Sequence, residues 1–358
     1  MSFLKNTWYC AGWSSELDSR PIHRKILGQN IVLFRTEQGK VVALGDACPH
    51  RFAPLHQGKV KGDTIECAYH GLRFNGSGQC VFNPFGEGKI PAAAKVPAYR
   101  IEERNSTLWI WMGEPEKADP EQIIDTSFLV DGASFFSRTG CHPVKSNYLL
   151  VVDNLLDLTH AQFLHPDTVG GDIETESWSV NAAETEGSVL PKVWFEEEGQ
   201  VLIANYLFPD NVTPLWRPLI DADTGDQHAR ISWHPASNLA LRLKFVPGDP
   251  DEKPVDMIAM HFLTPIDELN TYYFYAIGWN GKVDNIEVGE KVAATVYKTI
   301  MVEDGPMVES CQAYMGETTD LFSLKPVLLP TDGMAVKARR RVNEAIELEA
   351  HSREALVA

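Results

Sequence analysis

Cysteine is scarce in this chain. Six residues in 358, with no Cys-x-x-Cys pair, are too few and too scattered for the disulfide framework of a secreted scaffold, and they are read here against a reducing, cytoplasmic setting. Long apolar runs are missing as well. Nowhere do eighteen uncharged apolar residues follow one another, which excludes a membrane-spanning helix. The first ten residues lack the basic start and apolar stretch of an export signal, so a soluble chain is expected. Positive charge is in deficit, with 32 Lys and Arg against 49 Asp and Glu and a net charge of −17. Such a surface repels nucleic acid and anionic membranes, which excludes both as partners.

What remains is the composition of an ordinary globular protein, 44% hydrophobic and 23% charged, so the chain is expected to fold throughout. Its length favours two cores over one. From Trp8 to Trp111 the apolar runs are short and β-rich, as in Ile31-Val32-Leu33-Phe34 and Leu108-Trp109-Ile110-Trp111, with turn clusters such as Asn75-Gly76-Ser77-Gly78 between them, and these predict a small all-β domain. The polar stretch from Gly113 to Pro120, with its two prolines, suits a boundary. The domains are accordingly 1–117 and 118–358. In the second, a helical run from about Asn147 to Leu164 precedes strands at Val201–Ala204, Leu239–Phe245, Met257–Leu263 and Thr271–Ile277, and a long helix from about Val288 to Met301 follows. That order predicts an α+β fold, an antiparallel sheet covered by helices on one side. The charged run from Lys337 to Glu354 reads as a solvated helix.

Two short segments carry matching chemistry: Cys48-Pro49-His50-Arg51 and, after sixteen intervening residues, Cys67-Ala68-Tyr69-His70-Gly71. Each offers one thiolate and one imidazole. A Rieske [2Fe–2S] centre needs that distribution, because one iron is held by two cysteines and the other by two histidines. A Cys2His2 zinc site is the rival, but zinc sites usually pair like ligands within each knuckle. Buried cysteines and histidines with purely structural duties would require a double coincidence of spacing. Cys10, Cys80, Cys141 and Cys311 have no partner at ligand spacing and read as small buried hydrophobes.

The segment Tyr148 to Pro166 is apolar nearly all round, so its helix is expected to be buried. Asn154, Asp157 and His160 recur in it at intervals of three, and a polar stripe on a buried helix faces a metal, a partner or a cavity. His160 and His165 would point about 140° apart on one regular helix, at roughly 100° per residue. Pro166 pushes His165 out of the α region, so the helix should end there and let both rings converge. Two histidines and one carboxylate make the facial triad of non-haem Fe(II). Asp157 is adjacent, but Asp304 is the better source, because it continues the inward stripe of Tyr297, Ile300 and Met301, whereas Glu303 lies about 100° away. Gly305-Pro306 follows directly; a proline there removes the backbone bond to Val302, so the helix is expected to kink at its own ligand.

Cys-x-His with sixteen residues before Cys-x-x-His, together with Asp157-x-x-His160-x-x-x-x-His165, resembles the Rieske non-haem iron oxygenases. The details, from Asn6-Thr-Trp-Tyr9 through Cys48-Pro-His-Arg-Phe-Ala-Pro54 to Asp153-Asn-Leu-Leu-Asp-Leu-Thr-His160, look most like the vanillate O-demethylase oxygenase group, over nearly the whole chain. The resemblance implies a helix-grip, START-like catalytic domain, a cluster on Cys48, His50, Cys67 and His70, and a mononuclear non-haem iron on His160, His165 and Asp304. It also implies a homotrimer in which Asp157 connects that iron to His70 of a neighbouring copy. The implied reaction uses O2 to monooxygenate a methyl group on a small aromatic acid, with O-demethylation ahead of methyl hydroxylation, N-demethylation or ring cis-dihydroxylation. No Gly-x-Gly-x-x-Gly follows a strand and no plant-type ferredoxin spacing occurs, so a separate NAD(P)H-dependent reductase of flavin or ferredoxin type is expected to supply electrons. Asn154 is expected beside the iron as a hydrogen-bond donor, with a bond to the helix backbone as the alternative. His234 and His261 interrupt mainly apolar β segments and are candidates for the substrate pocket, with a satisfied core histidine as the alternative for each.

Overall fold

The computed structural model describes residues 3–18, 20–170, 179–180 and 191–357. It contains two compact units, one of residues 5–125 with 264–267 and the other of residues 1–4, 126–263 and 268–358.

The first unit is all-β, as its short β-branched and aromatic runs require. Its strands are β1 (Trp8–Trp13), β2 (Ile22–Ile26), β3 (Gln29–Arg35), β4 (Val41–Gly45), β5 (Lys59–Lys61), β6 (Thr64–Glu66), β7 (Arg73–Asn75), β8 (Cys80–Phe82), β9 (Ala98–Arg104) and β10 (Thr107–Trp111). They form a six-stranded sheet, β1-β10-β9-β4-β3-β2, and a four-stranded sheet, β5-β6-β7-β8. Phe34, Leu44, Ile65 and Phe74 are fully buried in one core with Cys48 and Cys67. At about 1.5–3 kcal/mol for each large apolar side chain, that packing holds the loops after β4 and β6 at fixed positions.

The second unit has β11 (Phe136–Val144), α1 (Tyr148–Leu156), α2 (Ala161–Leu164), β12 (Ser179–Val180), β13 (Lys192–Glu198), β14 (Val201–Phe208), β15 (Gly225–His234), β16 (Asn238–Pro247), β17 (Val255–Asp267), β18 (Asn270–Trp279), α3 (Ile286–Tyr297), α4 (Gly305–Met315) and α5 (Gly333–Val357). Its eight-stranded sheet runs β11-β18-β17-β16-β15-β14-β13-β12. β13 through β17 are antiparallel, as are β11 and β18, while the two-residue β12 pairs in parallel at the edge. This is the α+β architecture expected from the sequence. Among the described residues no helix is long and apolar enough to cross a membrane.

Four local expectations change. The run 147–164 is not one helix: α1 stops at Leu156, Asp157 is extended, and a 3-10 turn over Leu158–His160 leads into α2. The break has a side-chain cause. The Asp157 carboxylate accepts from the Thr159 N–H at 3.0 Å and the Thr159 hydroxyl at 2.6 Å, the local bonding by which Asp favours a cap over a helix interior. The Tyr206 hydroxyl spans the gap, donating to the Leu156 carbonyl at 2.9 Å and accepting from the Leu158 N–H at 3.1 Å. The second long helix likewise gives way after Tyr297 to a π-helical turn over Lys298–Asp304 before α4 resumes, and Tyr297 is exposed rather than inward. Cys141 and Cys311 are exposed, while Cys10 and Cys80 are buried. Finally, α5 is not merely solvated, because Ala338, Arg339 and Val342 are buried.

Candidate metal centres and cavity

The two Cys/His loops of the first unit share one backbone design. The Cys48 N–H donates to the Ala53 carbonyl and the Phe52 N–H to the Cys48 carbonyl; likewise the Cys67 N–H donates to the Leu72 carbonyl and the Gly71 N–H to the Cys67 carbonyl. The fourth residue after each cysteine has a positive φ, +58° at Phe52 and +72° at Gly71. Glycine enters that region freely, whereas phenylalanine needs the loop's bonds to hold it there. Both cysteines are buried and adjacent in the core. The His50 and His70 rings lie 4.4 Å apart, centroid to centroid, at the more exposed end. Thiols on one side and imidazoles on the other match the division of ligands in a Rieske cluster. Burial pushes the Cys48 thiol up to about 11, so its thiolate needs a cation beside it, which bound iron provides.

In the second unit the break after α1 sends His160 back toward α2, and Pro166 ends α2 at His165 as expected. His160, His165 and Asp304 thereby meet, with one ligand atom from each lying within 4.8 Å of the others. Three groups converge on Asp304 Oδ1: the Asn154 amide donates to it at 2.9 Å, His165 Nε2 stands 3.0 Å away and His160 Nε2 3.4 Å away. The other ring nitrogens are taken. His160 Nδ1 faces the Asp157 carbonyl at 2.5 Å and His165 Nδ1 faces Glu303 Oε2 at 2.8 Å. Both partners only accept, so each Nδ1 carries a proton and each Nε2 is the nitrogen available to a metal. Two imidazoles and one carboxylate in this arrangement fit a facial-triad iron. Without a metal, burial opposes charging of His165, yet its hydrogen bonds to Asp304 and Glu303 outweigh that and raise its pKa. Burial likewise acts to raise the Asp304 carboxyl, but His160 and His165 hold it well below the usual carboxylate range.

A cavity opens on this cluster. Its walls are mainly apolar, including Leu158, Phe208, Leu241, Leu243, Met257 and Ile300, and among the described residues no Lys or Arg lines it. His261 lines it and is 3% exposed. Its Nδ1 lies 2.8 Å from the Tyr273 hydroxyl, while its Nε2 is buried without a hydrogen-bond partner among the described residues. Tyr273 has no other acceptor among the described residues, so its hydroxyl donates to Nδ1 and leaves Nε2–H directed elsewhere. Burial lowers the His261 pKa to about 4, which keeps the ring neutral. His234 does not line the cavity. Along β15 the residues Gln227, Ala229, Ile231 and Trp233 are buried on one face, and strand alternation sends His234 to the other with Arg230 and Ser232, where its ring meets the Ser232 hydroxyl at 3.3 Å.

Three participants escaped the sequence reading. Regular helix geometry places Glu303 about 100° from Asp304, yet it reaches His165. Tyr273 gave no signal by itself. Gln227 lines the cavity, and its Oε1 accepts from the Trp216 indole N–H at 2.5 Å; because that indole can only donate, the amide cannot flip and its NH2 is the free end. A polar residue on the apolar face of the alternating run Gln227-His-Ala-Arg-Ile-Ser-Trp233 was the available clue.

Comparison with known proteins agrees with this geometry. Residues 7–100 match the Rieske [2Fe-2S] domain and residues 144–348 match the vanillate O-demethylase oxygenase C-terminal domain. The chain is 34% identical to the oxygenase component of dicamba O-demethylase from Stenotrophomonas maltophilia, over 98% of this chain and 100% of that one. It is 33% identical to an iron-sulfur subunit of the toluene-4-sulfonate monooxygenase system of Comamonas testosteroni, over 89% and 90%. A crystal structure of dicamba monooxygenase with non-heme iron and dicamba superposes with a TM-score of 0.80 at 31% identity, covering 98% of this chain and all of that one. Full-length likeness, two family matches and two sets of side chains suited to bind metal lead to one conclusion: the chain belongs to the Rieske-type oxygenases of the vanillate O-demethylase group, enzymes of the demethylase and monooxygenase class with a [2Fe–2S] cluster and a mononuclear non-haem iron.

Proposed function

We propose that this protein is a terminal oxygenase that monooxygenates a small aromatic acid, chiefly by O-demethylating a methoxy-aromatic acid with release of formaldehyde. The observation that carries the reading is the largely apolar cavity lined at one place by His160, His165 and Asp304 and elsewhere by two further side chains able to donate a hydrogen bond, His261 and Gln227. Flat apolar walls suit an aromatic ring, and neutral donors suit an oxygen acceptor on it. The assigned cluster ligands are Cys48, His50, Cys67 and His70, within residues 1–117; the assigned iron ligands are His160, His165 and Asp304, within residues 118–358. When bound, the iron supplies dioxygen activation and the cluster supplies electrons.

The chain's own residues do the rest. Asn154 steadies Asp304 through its amide, the Asp157 carbonyl fixes the His160 tautomer, and the Leu, Met and Phe walls exclude water. His261, held neutral by burial and locked by Tyr273, donates its Nε2 proton to the substrate's oxygen without transferring it. Hydroxylation of a methoxy carbon yields a hemiacetal, whose collapse to phenol and formaldehyde requires no further residue. Asp157 accepts from Thr159 through Oδ1 only; we assign its other oxygen to His70 of a neighbouring copy in a homotrimer. Electrons come from a separate NAD(P)H-dependent reductase of flavin or ferredoxin type, in keeping with the component nature of the named relatives. The test is turnover with a surrogate reductase on methoxy- and methyl-substituted benzoates while formaldehyde is followed. Formaldehyde from the methoxy acids is expected. Benzylic alcohol from the methyl acids alone would move the reaction to methyl hydroxylation, and cis-diol without formaldehyde would replace demethylation by dihydroxylation.

A further inference from the structure

Consecutive residues on a regular helix diverge by about 100°, yet Glu303 and Asp304 both reach the same imidazole. Asp304 Oδ1 lies 3.0 Å from His165 Nε2 and Glu303 Oε2 lies 2.8 Å from His165 Nδ1. The backbone between Lys298 and Asp304 accounts for this. It is a π-helical turn, closed by the Gly305 N–H donating to the Ile300 carbonyl five residues back. Pro306, next in the chain, has no N–H for the Val302 carbonyl, and its ring would strike that carbonyl in a regular α-helix. Widening the turn relieves the clash and reduces the angle between successive side chains, in keeping with the occurrence of π-turns at functional sites.

Glu303 is built in rather than incidental. Its Oε2 also accepts from the buried Thr168 hydroxyl at 2.8 Å, and its Oε1 pairs with Lys298 Nζ at 3.3 Å. Its side chain is 14% exposed. A carboxylate donated to by Thr168 and paired with Lys298 has one place left to point, and that is His165 Nδ1–H.

We infer that Glu303, seated by the Pro306-induced π-turn, is the positioning residue that fixes the tautomer and orientation of His165 as an iron ligand and strengthens that nitrogen as a donor. The inference rests on the assignment of His160, His165 and Asp304 as ligands. A histidine backed by a carboxylate is a more basic and better oriented ligand than one facing solvent, and loss of such a partner typically weakens metal binding about 10–100-fold.

The probe is ferrous iron itself, titrated anaerobically against a competing chelator into protein that keeps its cluster but has been stripped of mononuclear iron. The EPR spectrum of the ferrous nitric oxide adduct reports ligand geometry. Glu303→Ala should weaken iron binding by about 10–100-fold and change the rhombicity of that spectrum with the unfolding midpoint little altered. Glu303→Gln, whose amide oxygen can still accept from Nδ1–H, should recover most of the affinity, and Pro306→Ala should lose part of it by relaxing the turn. If Glu303→Ala folds poorly, the Gln variant and Pro306→Ala decide through affinity and spectrum. Wild-type affinity and an unchanged spectrum in the Glu303 variants, while Asp304→Ala loses the metal, would overturn the inference and leave the ligand assignment standing. Wild-type affinity in Asp304→Ala would overturn the ligand assignment first.

Discussion

His261 and His234 look alike in the sequence, each a histidine interrupting an apolar β segment, yet only His261 enters the cavity. The difference is strand parity: a shift of one position moves a side chain to the opposite face, and which face is inner depends on pairings that only the fold supplies, such as Leu239 with His261 across β16 and β17. The cysteines and histidines of the first unit can be singled out in the sequence because their spacing alone suits a ligand set. Glu303 cannot, because its position depends on a π-turn, and helical bookkeeping at 100° per residue sends it the wrong way. The burial of His261 has a measurable pH consequence. Its pKa is about 4 in the folded chain against roughly 6.5 in the unfolded one. Between these values the unfolded chain takes up a proton that the folded ring refuses, so stability rises with pH through that window. The contribution is complete above about pH 6.5 and is lost as pH falls toward 4, amounting to on the order of 3 kcal/mol. Denaturant unfolding at pH 7 and pH 4.5 should show His261→Gln less pH-dependent than wild type over this interval. Equal slopes for the two would mean that His261 titrates normally.

Among the elements, α1 matters most to the iron site because Asn154 lies on it and His160 follows its break. Its burial was legible from an almost wholly apolar sequence, whereas its end was not, because the Tyr206 hydroxyl that spans the break comes from β14, fifty residues downstream. The far partner of α1 is α5. Arg339, 3% exposed, makes a two-pronged pair with Asp153, with Nη2 at 2.6 Å and Nε at 2.8 Å from Oδ2. The sequence offered α5 only as a charged run, and nothing in such a run distinguishes the one arginine that turns inward. Burial raises the Asp153 carboxyl, with Arg339 opposing the shift, so removing the guanidinium leaves a partly buried carboxylate without compensation. Arg339→Met should cost about 3–5 kcal/mol, and Asp153→Leu with Arg339→Met together should recover much of that, since a buried pair replaced by apolar groups is often close to neutral. Chemical denaturation of the two variants provides the comparison. Because α1 leads directly into the His160 turn, the single variant should also lose mononuclear iron while keeping its cluster absorption; retention of both metals at wild-type stability would show that the pair does not clamp the helix.

At the scale of the whole molecule, the two proposed metal sites belong to separate compact units, with Cys48, His50, Cys67 and His70 in one and His160, His165 and Asp304 in the other. The composition of the chain changes at the polar stretch 113–120, where short β-rich runs and Gly/Pro turns give way to long periodic apolar segments; the first compact unit runs on to residue 125 and also takes in 264–267, a return that no local composition signals. Each unit has its own buried core, and the described ligands of each site come from one unit alone. Loss of one metal should therefore leave the other in place. Cys48→Ser removes a thiolate from a buried position and should abolish the visible absorption of the cluster, with only the mononuclear iron remaining by metal analysis. Asp304→Ala should do the reverse, keeping the cluster spectrum while the mononuclear iron is lost, because His160 and His165 alone bind ferrous iron weakly. Neither variant should turn over substrate, since one lacks the electron store and the other the oxygen site. A Cys48→Ser protein that kept its cluster spectrum would overturn the Rieske ligand set. Loss of both metals from Asp304→Ala would instead mean that the units do not fold around their metals independently, and the two-core reading of the chain would fall with it.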